Sequence, residues 1–146
     1  MKADGARIVL KVSGVILGIM GVFFLAVGAM SISGRTLTDI LSAKNNPFLA
    51  EVFVLLAGNG RMPLISGAVY CVCAVLCFRA SLDDEYGSSA WNGSLILFAL
   101  TAFNGFSMVR STGGNGPEIV CLFVFLGFCL LINTAANKIR IEFNRP

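Results

Sequence analysis

Histidine is absent from the sequence, and only 13% of its 146 residues are charged. Soluble domains usually carry about 25% charged residues. The deficit therefore excludes an ordinary cytosolic enzyme and a disordered chain. Without histidine, the chain lacks Ser-His-Asp and Cys-His catalysis, and it lacks the commonest proton shuttle. Apolar residues are abundant instead. Ala, Val, Ile, Leu, Met, Phe, Trp, Tyr and Cys together supply 56% of the sequence.

The few charges leave four charge-free runs: 12–34, 62–78, 86–109 and 119–137. A helix rising about 1.5 Å per residue needs roughly 20 apolar residues, and at least about 17, to cross a hydrocarbon core about 30 Å thick. Each run is long enough and apolar on all sides, whereas a membrane barrel would show alternating segments of about ten residues. We therefore predict an all-α integral membrane four-helix bundle. The expectation is one transmembrane domain over 1–146, with spans near 12–33, 62–78, 89–110 and 118–137.

A shorter apolar segment, PFLAEVFVLLA at 47–57, lies between the first two spans. It is too short to cross a bilayer and too apolar for open solvent. We predict an interfacial or re-entrant helix, with a lid packed on the helix ends as the alternative. Gly34, Gly58 and Gly113 follow apolar segments, at positions where a left-handed residue ends a helix.

Lysine and arginine predict the orientation of the spans. Four spans place both termini on the same side as the 79–90 loop, and that side holds seven basic residues: Lys2, Arg7, Lys11, Arg79, Lys138, Arg140 and Arg145. The other side holds four: Arg35, Lys44, Arg61 and Arg110. The excess favours cytoplasmic termini in a cell (inner) membrane. The first run also has features of a secretory signal peptide, but its apolar stretch is longer than such a peptide needs.

Glycines form a stripe along the first span, at Gly14, Gly18, Gly21 and Gly28. Small residues spaced in this way let another backbone approach closely. The sequence does not decide whether the partner is a helix of the same chain, a second copy in a homo-oligomer, or another membrane subunit.

Polar residues inside the predicted spans are few and not ionisable at neutral pH, which disfavours a proton or ion pump. Asn104 and Ser107 share one helix face, Ser66 and Tyr70 share another, and we expect bonds between helices. All five cysteines also lie in predicted spans: Cys71, Cys73, Cys77, Cys121 and Cys129. We interpret them as packing residues rather than a metal or redox site. No cofactor and no nucleic-acid partner are predicted.

Charged residues are expected to converge at the non-cytoplasmic end. Arg110 ends the third span, Glu118 begins the fourth, Arg61 precedes the second, and Glu51 lies on the short helix. A structural reading pairs Arg110 with Glu118 across the hairpin and places Glu118 at a helix N-terminus. A functional reading has the cluster orient a polar head group, with six candidate ligand-binding residues: Glu51, Arg61, Arg110, Glu118, Asn104 and Tyr70.

The layout resembles a known group. The chain has one span, a basic-flanked loop with a short apolar helix, and Asn59-x-Arg61 followed by Gly67-x-x-Tyr70. Its third span ends before the sequence Gly114-x-Gly116-Pro117. This arrangement is similar to small bacterial four-helix membrane proteins of unknown function related to the DoxX-like group. The resemblance covers about residues 10–137, and it implies a fold and a membrane location but no reaction.

No Walker loop, dinucleotide fingerprint, zinc-protease helix or nucleophile elbow is present in the sequence. We therefore favour a non-enzymatic module in the lipid bilayer, either an accessory or structural subunit of a membrane complex or a binder of a lipid or small lipophile. The alternative is a small membrane enzyme or carrier that acts on a lipophilic substrate through the polar cluster.

Overall fold

The computed structural model describes residues 2–34, 47–114 and 116–145. The described elements are α1 (Ala3–Ile32), α2 (Pro47–Ala57), α3 (Met62–Leu82), a 3₁₀ turn (Asp84–Tyr86), α4 (Gly87–Thr112) and α5 (Gly116–Phe143). Helices α1, α3, α4 and α5 are long and apolar enough to cross a membrane. The predicted all-α fold, with four long apolar helices in a bundle and a short helix between the first two, is confirmed.

The four long helices form two closely packed pairs, α1 with α3 and α4 with α5, and the pairs contact each other through α3–α4 and α1–α5. The N-terminus of α1, the 3₁₀ turn and the C-terminus of α5 lie at one end, here called the terminal end. There the Arg7 side chain reaches Asp84, and Gly87 packs on the backbone of Arg140. The opposite end holds α2 and the α4–α5 connection, and is called the α2 end.

The helices are longer than the predicted spans at the terminal end, and α1 and α5 extend furthest. Helix α1 begins at Ala3 rather than near residue 12, and α5 ends at Phe143 rather than near 137. Hydropathy marks where the apolar part of a helix ends, whereas backbone hydrogen bonding continues into polar sequence. In α5 this extension carries an i,i+4 ion pair between Lys138 and Glu142 at 3.3 Å, of the kind that supports exposed helix.

The glycine face of α1 is covered by α3 of the same chain. A Cβ added at Gly21 would lie 2.8 Å from the Cys71 nitrogen, and one added at Gly14 would lie 3.0 Å from the Ala74 carbonyl oxygen. Gly28 is similarly close to Leu64. Because α3 occupies this face, a homo-oligomer would have to form through another surface.

The outer surface of the bundle is apolar. Phe106 is 69% exposed, and Ile19 and Phe123 are each 68% exposed. Large exposed side chains of this kind would be costly in water over so wide an area, and they suit contact with lipid. Together with the four long apolar helices, this surface makes the chain a small multi-pass membrane protein.

Aromatic and basic side chains meet at the terminal end. The Arg140 guanidinium lies 4.2 Å from the Trp91 ring centroid, and Arg79 donates a 3.1 Å hydrogen bond to the Tyr86 hydroxyl. Amphipathic rings concentrate at the membrane interface, so these contacts indicate where the bundle leaves the hydrocarbon.

Candidate functional site

The last carbonyls of α2 are buried and would lack partners without side chains from neighbouring helices. The Ser66 hydroxyl of α3 donates to the Ala57 carbonyl at 2.8 Å. The Asn104 amide nitrogen of α4 donates to the Leu56 carbonyl at 3.3 Å and to the Ser66 Oγ at 3.2 Å. This buried network joins α2 to both α3 and α4.

The network also fixes which way the Asn104 amide points. The Leu56 carbonyl can only accept, and the Ser66 hydrogen is used on Ala57, so both neighbours require the amide nitrogen of Asn104. Its carbonyl oxygen, Oδ1, therefore faces the other way, towards Gly58. A Cβ at Gly58 would lie 3.0 Å from this oxygen, and the glycine adopts a φ of 83°.

Asn104 Oδ1 lies at a cavity of about 180 Å³ between the end of α2, the start of α3 and α4. We call it the α2-end pocket, and it is lined by Val54, Gly58, Asn59, Met62, Phe103, Asn104, Ser107, Met108 and Ser111. None of these residues carries a charge. The pocket is too small for a whole drug-sized ligand, which usually needs about 300–1,000 Å³.

The two acids of the predicted cluster lie together. Glu118, in the first turn of α5, is 1% exposed, while Glu51 on α2 is half-buried. A hydrogen bond to the Glu118 carboxyl, together with desolvation and the negative charge of Glu118, raises the pKa of Glu51 above its ordinary value. Two adjacent carboxyls favour a state in which one keeps its proton.

The two arginines of the predicted cluster are exposed at the surface. Arg61 precedes the first turn of α3, and Arg110 lies in the last turn of α4. Neither makes a salt bridge within the described part of the chain. The ion pairs found there, Arg7–Asp84 at 2.9 Å and Lys138–Glu142, lie at the terminal end instead.

Tyr70 lies deeper than the α2-end pocket and does not line it. The ring is fully buried, and its centroid is 5.0 Å from that of Phe24 and 5.8 Å from that of Phe125. Its hydroxyl interacts with that of Thr101, although neither makes a hydrogen bond of standard geometry within the described residues. The contacts of Tyr70 are those of a core residue that joins α1, α3, α4 and α5.

A second and larger cavity opens on the lipid-facing surface between α3 and α4. This α3–α4 groove has a volume of about 550 Å³ and is lined by Ala68, Val69, Val72, Cys73, Leu76, Ser89, Asn92, Gly93 and Ile96. Its walls are mostly apolar, and Ser89 and Asn92 lie towards the terminal end. Within the groove, the Cys73 thiol donates to the Gly93 carbonyl at 3.2 Å.

The remaining candidate groups have structural contacts. Cys73, Cys77 and Cys129 are buried, and all five cysteines carry free thiols. Asp84 pairs with Arg7, and the Asp83 carboxylate accepts from the Glu85 backbone nitrogen at 3.1 Å. Over the described ranges, no three His, Cys, Asp or Glu side chains group in a way that could hold a metal ion.

Sequence reasoning singled out Asn104, Ser66 and Ser107, but it missed the α2 carbonyls that Asn104 and Ser66 meet and the whole α3–α4 groove. A usable signal was present in α4, where Ser89, Ile96, Phe103 and Ser107 recur at intervals of seven or four and so share one face. The sequence does not show that α3 stands far enough from this face to leave space.

Comparison with protein-family models, curated proteins and solved structures finds no match to the chain. The comparisons therefore identify no family, and the resemblance to the DoxX-like group stays a hypothesis.

Proposed function

We propose that the protein is a non-enzymatic membrane module that binds a lipid or small lipophile, with the hydrocarbon chain in the α3–α4 groove. The observation that carries the proposal is this groove of about 550 Å³ on the lipid-facing surface. Its volume falls within the usual range for small-molecule sites of about 300–1,000 Å³.

The residues that line the groove explain its shape and its preference for a hydrocarbon chain. Gly93 on α4 lies against Cys73 and Leu76 of α3, which form the floor of the groove. Ala68 on α3 is small and exposed, so no large side chain of its own fills the space beside it. Val72 and Ile96 supply apolar walls, and they are 58% and 59% exposed. A hydrocarbon chain seated here would gain contacts with both helices that a chain on a flat helix surface lacks.

The test fills the groove from one side. Ala68 is exposed and lines the groove, so Ala68→Phe places a ring in the space without disturbing the core. Ala26→Phe, at an exposed position on α1 that lines neither cavity described here, is the matched control. Lipids retained from a mild detergent are counted by native mass spectrometry.

We expect at least a two-fold loss of retained lipophile in Ala68→Phe and none in Ala26→Phe. Equal retention in both variants and in the wild type would overturn the lipophile-binding proposal. A protein subunit that co-purifies with the wild type and is lost in Ala68→Phe would favour the accessory-subunit reading, in which a helix of that subunit occupies the groove.

A small membrane enzyme or carrier is the second candidate. The observation in its favour is the contact between Glu51 and Glu118, because a carboxyl whose pKa is raised by a neighbouring carboxyl is typical of acid–base sites. Turnover of a lipophilic substrate that is lost in Glu118→Gln, with unchanged thermal stability, would support it. We further place the protein in the inner membrane with cytoplasmic termini, and a relationship with the DoxX-like group is compatible with this assignment.

A further inference from the structure

The α2-end pocket presents a hydrogen-bond acceptor whose direction is fixed. Asn104 is only 3% exposed, and both of its described hydrogen bonds are donated by its nitrogen, so its oxygen is directed at the pocket. We propose that this pocket binds the hydroxyl head of a neutral amphiphile, which donates a hydrogen bond to Asn104 Oδ1. The inference rests on the proposed lipophile-binding function and names the head group.

The remaining polar atoms of the pocket favour a donor over an anion. The Ser111 hydroxyl donates to the Met108 carbonyl at 2.8 Å, so its oxygen is available as a second acceptor. A phosphate or carboxylate head only accepts, so it cannot bond to Asn104 Oδ1, and no cationic residue lines the pocket to balance its charge. A hydroxyl, by contrast, donates one bond and can accept another from Asn59 or Ser107.

The acceptor is held in advance of binding. The Asn104 nitrogen is bonded to both α2 and α3, so the amide cannot turn without breaking two buried hydrogen bonds. The positive φ of Gly58 brings the α2–α3 turn close to Asn104 Oδ1, where a Cβ would reach it at 3.0 Å. A site that needs no reorganisation loses less free energy on binding.

The position of the pocket suits an amphiphile that enters from the bilayer. Phe103, on the pocket wall, is 63% exposed on the apolar surface. Phe103 and Ser107 share the face of α4 that lines the α3–α4 groove, and Ile96 lies roughly 10 Å along the helix from Phe103 at about 1.5 Å per residue. A head in the α2-end pocket can therefore extend its chain along the same seam into the groove.

The test uses oleyl alcohol and its methyl ether, which share a chain but differ in the hydroxyl hydrogen. Binding to the detergent-solubilised protein is measured by native mass spectrometry with the wild type and two variants. Ser107→Leu fills the pocket from an exposed position, and Ser88→Leu is the matched control at an exposed position on α4 that lines neither cavity. Thermal unfolding of each variant checks that the fold is kept.

We expect the wild type and Ser88→Leu to bind the alcohol about three- to ten-fold more tightly than the ether, the size of one hydrogen bond. In Ser107→Leu this preference should disappear. The inference is overturned if the wild type binds alcohol and ether equally, or if oleate, with its carboxylate head, binds more tightly than the alcohol. The ether comparison needs no variant, so it holds even if Ser107→Leu unfolds.

The Ala68→Phe variant separates this inference from the function on which it rests. One outcome is that the wild type binds the alcohol and the ether equally and Ala68→Phe loses both. This outcome would support lipophile binding in the α3–α4 groove and overturn the proposed hydroxyl head group. The other outcome is that Ala68→Phe binds as tightly as the wild type and still prefers the alcohol. This outcome would support the hydroxyl site in the α2-end pocket and overturn lipophile binding in the α3–α4 groove.

Discussion

At the scale of single residues, polar side chains within the spans mainly complete hydrogen bonds that the bilayer cannot supply. Asn104 serves α2 and α3, and the Asn133 nitrogen of α5 donates to Ser94 Oγ of α4 at 2.9 Å. The expected bond between helices is thus confirmed for Asn104 and Ser66, and Asn133 forms another, each stabilising the fold by about 0.6 kcal/mol. Thr134 instead bonds to the Leu130 carbonyl of its own helix at 2.9 Å, as threonine often does.

The Glu51–Glu118 contact makes stability depend on pH. Glu118 raises the pKa of Glu51 above its ordinary value of 4.5, chiefly through a hydrogen bond that requires one carboxyl to be protonated. A carboxyl with a higher pKa in the folded than in the unfolded state stabilises the fold when protonated. This contribution is complete below pH 4.5 and is lost as the pH rises through the raised value.

We therefore expect the contribution of this pair to lower Tm, followed by Trp91 fluorescence in detergent, as the pH rises above 4.5. Glu51→Gln retains an N–H donor towards Glu118 at every pH, so it should flatten the dependence and raise Tm at pH 7. The control is Glu85→Gln on the exposed 3₁₀ turn, where the wild-type slope should persist. An unchanged slope in Glu51→Gln would show that the pair does not govern the pH response.

At the scale of elements, the α1–α3 contact depends on where a glycine stands rather than on glycine content. A Cβ at Gly21 would lie 2.6 Å from Cys71 Sγ and 3.1 Å from the Gly67 carbonyl oxygen. At Gly18, the nearest atom is Ala74 Cβ at 3.7 Å, which is ordinary contact. The two positions lie on the same stripe, so sequence alone does not distinguish them.

Gly21→Ala should force α1 away from α3 and destabilise the protein by about 1–3 kcal/mol, the usual cost of overpacking. Gly18→Ala should be neutral or stabilising by up to about 1 kcal/mol, because alanine loses less backbone entropy in a helix. Unfolding in mixed detergent micelles measures both. Equal effects of the two substitutions would contradict the close approach at Gly21.

Helix ends were predictable where backbone geometry decides them. Gly113 has a φ of 80° and ends α4 by donating its N–H to the Val109 carbonyl at 3.0 Å, as its position after an apolar segment predicts. The start of α3 does not follow the usual N-cap preference for Ser, Thr, Asp or Asn. The residue that caps α3 is Arg61, without a side-chain hydrogen bond.

At the scale of the whole molecule, the bundle has one end with ion pairs and aromatic contacts and one with the buried network. The basic residues favour the terminal end as the cytoplasmic one, by seven to four. We expect green fluorescent protein fused after Pro146 to fluoresce in a bacterial host. Alkaline phosphatase fused after Gly113 should be active, because that turn lies at the opposite end. The reverse pattern would invert the assigned orientation.

The sequence by itself determined that the protein lies in a membrane, that four helices are long enough to span it, and that a short helix lies between the first two. Four runs without charge allow no other compact arrangement, because each backbone polar group in lipid must be bonded within its own helix. Segment 47–57 was predictable as a separate short helix because it is apolar and too short to cross a bilayer. These properties are local, and a window of about 20 residues contains all the information that they require.

Tertiary structure alone decided which side chains meet. The cluster of two acids and two bases did not form as one group, because Glu118 turns inward to meet Glu51 while Arg61 and Arg110 stay exposed. The glycine stripe of α1 packs against α3. The Asn104 oxygen is oriented only because the amide nitrogen bonds to the Leu56 carbonyl at the end of α2 and to Ser66. Such outcomes depend on distances between helices that are far apart in the chain, and small residues permit a close approach without specifying which helix makes it.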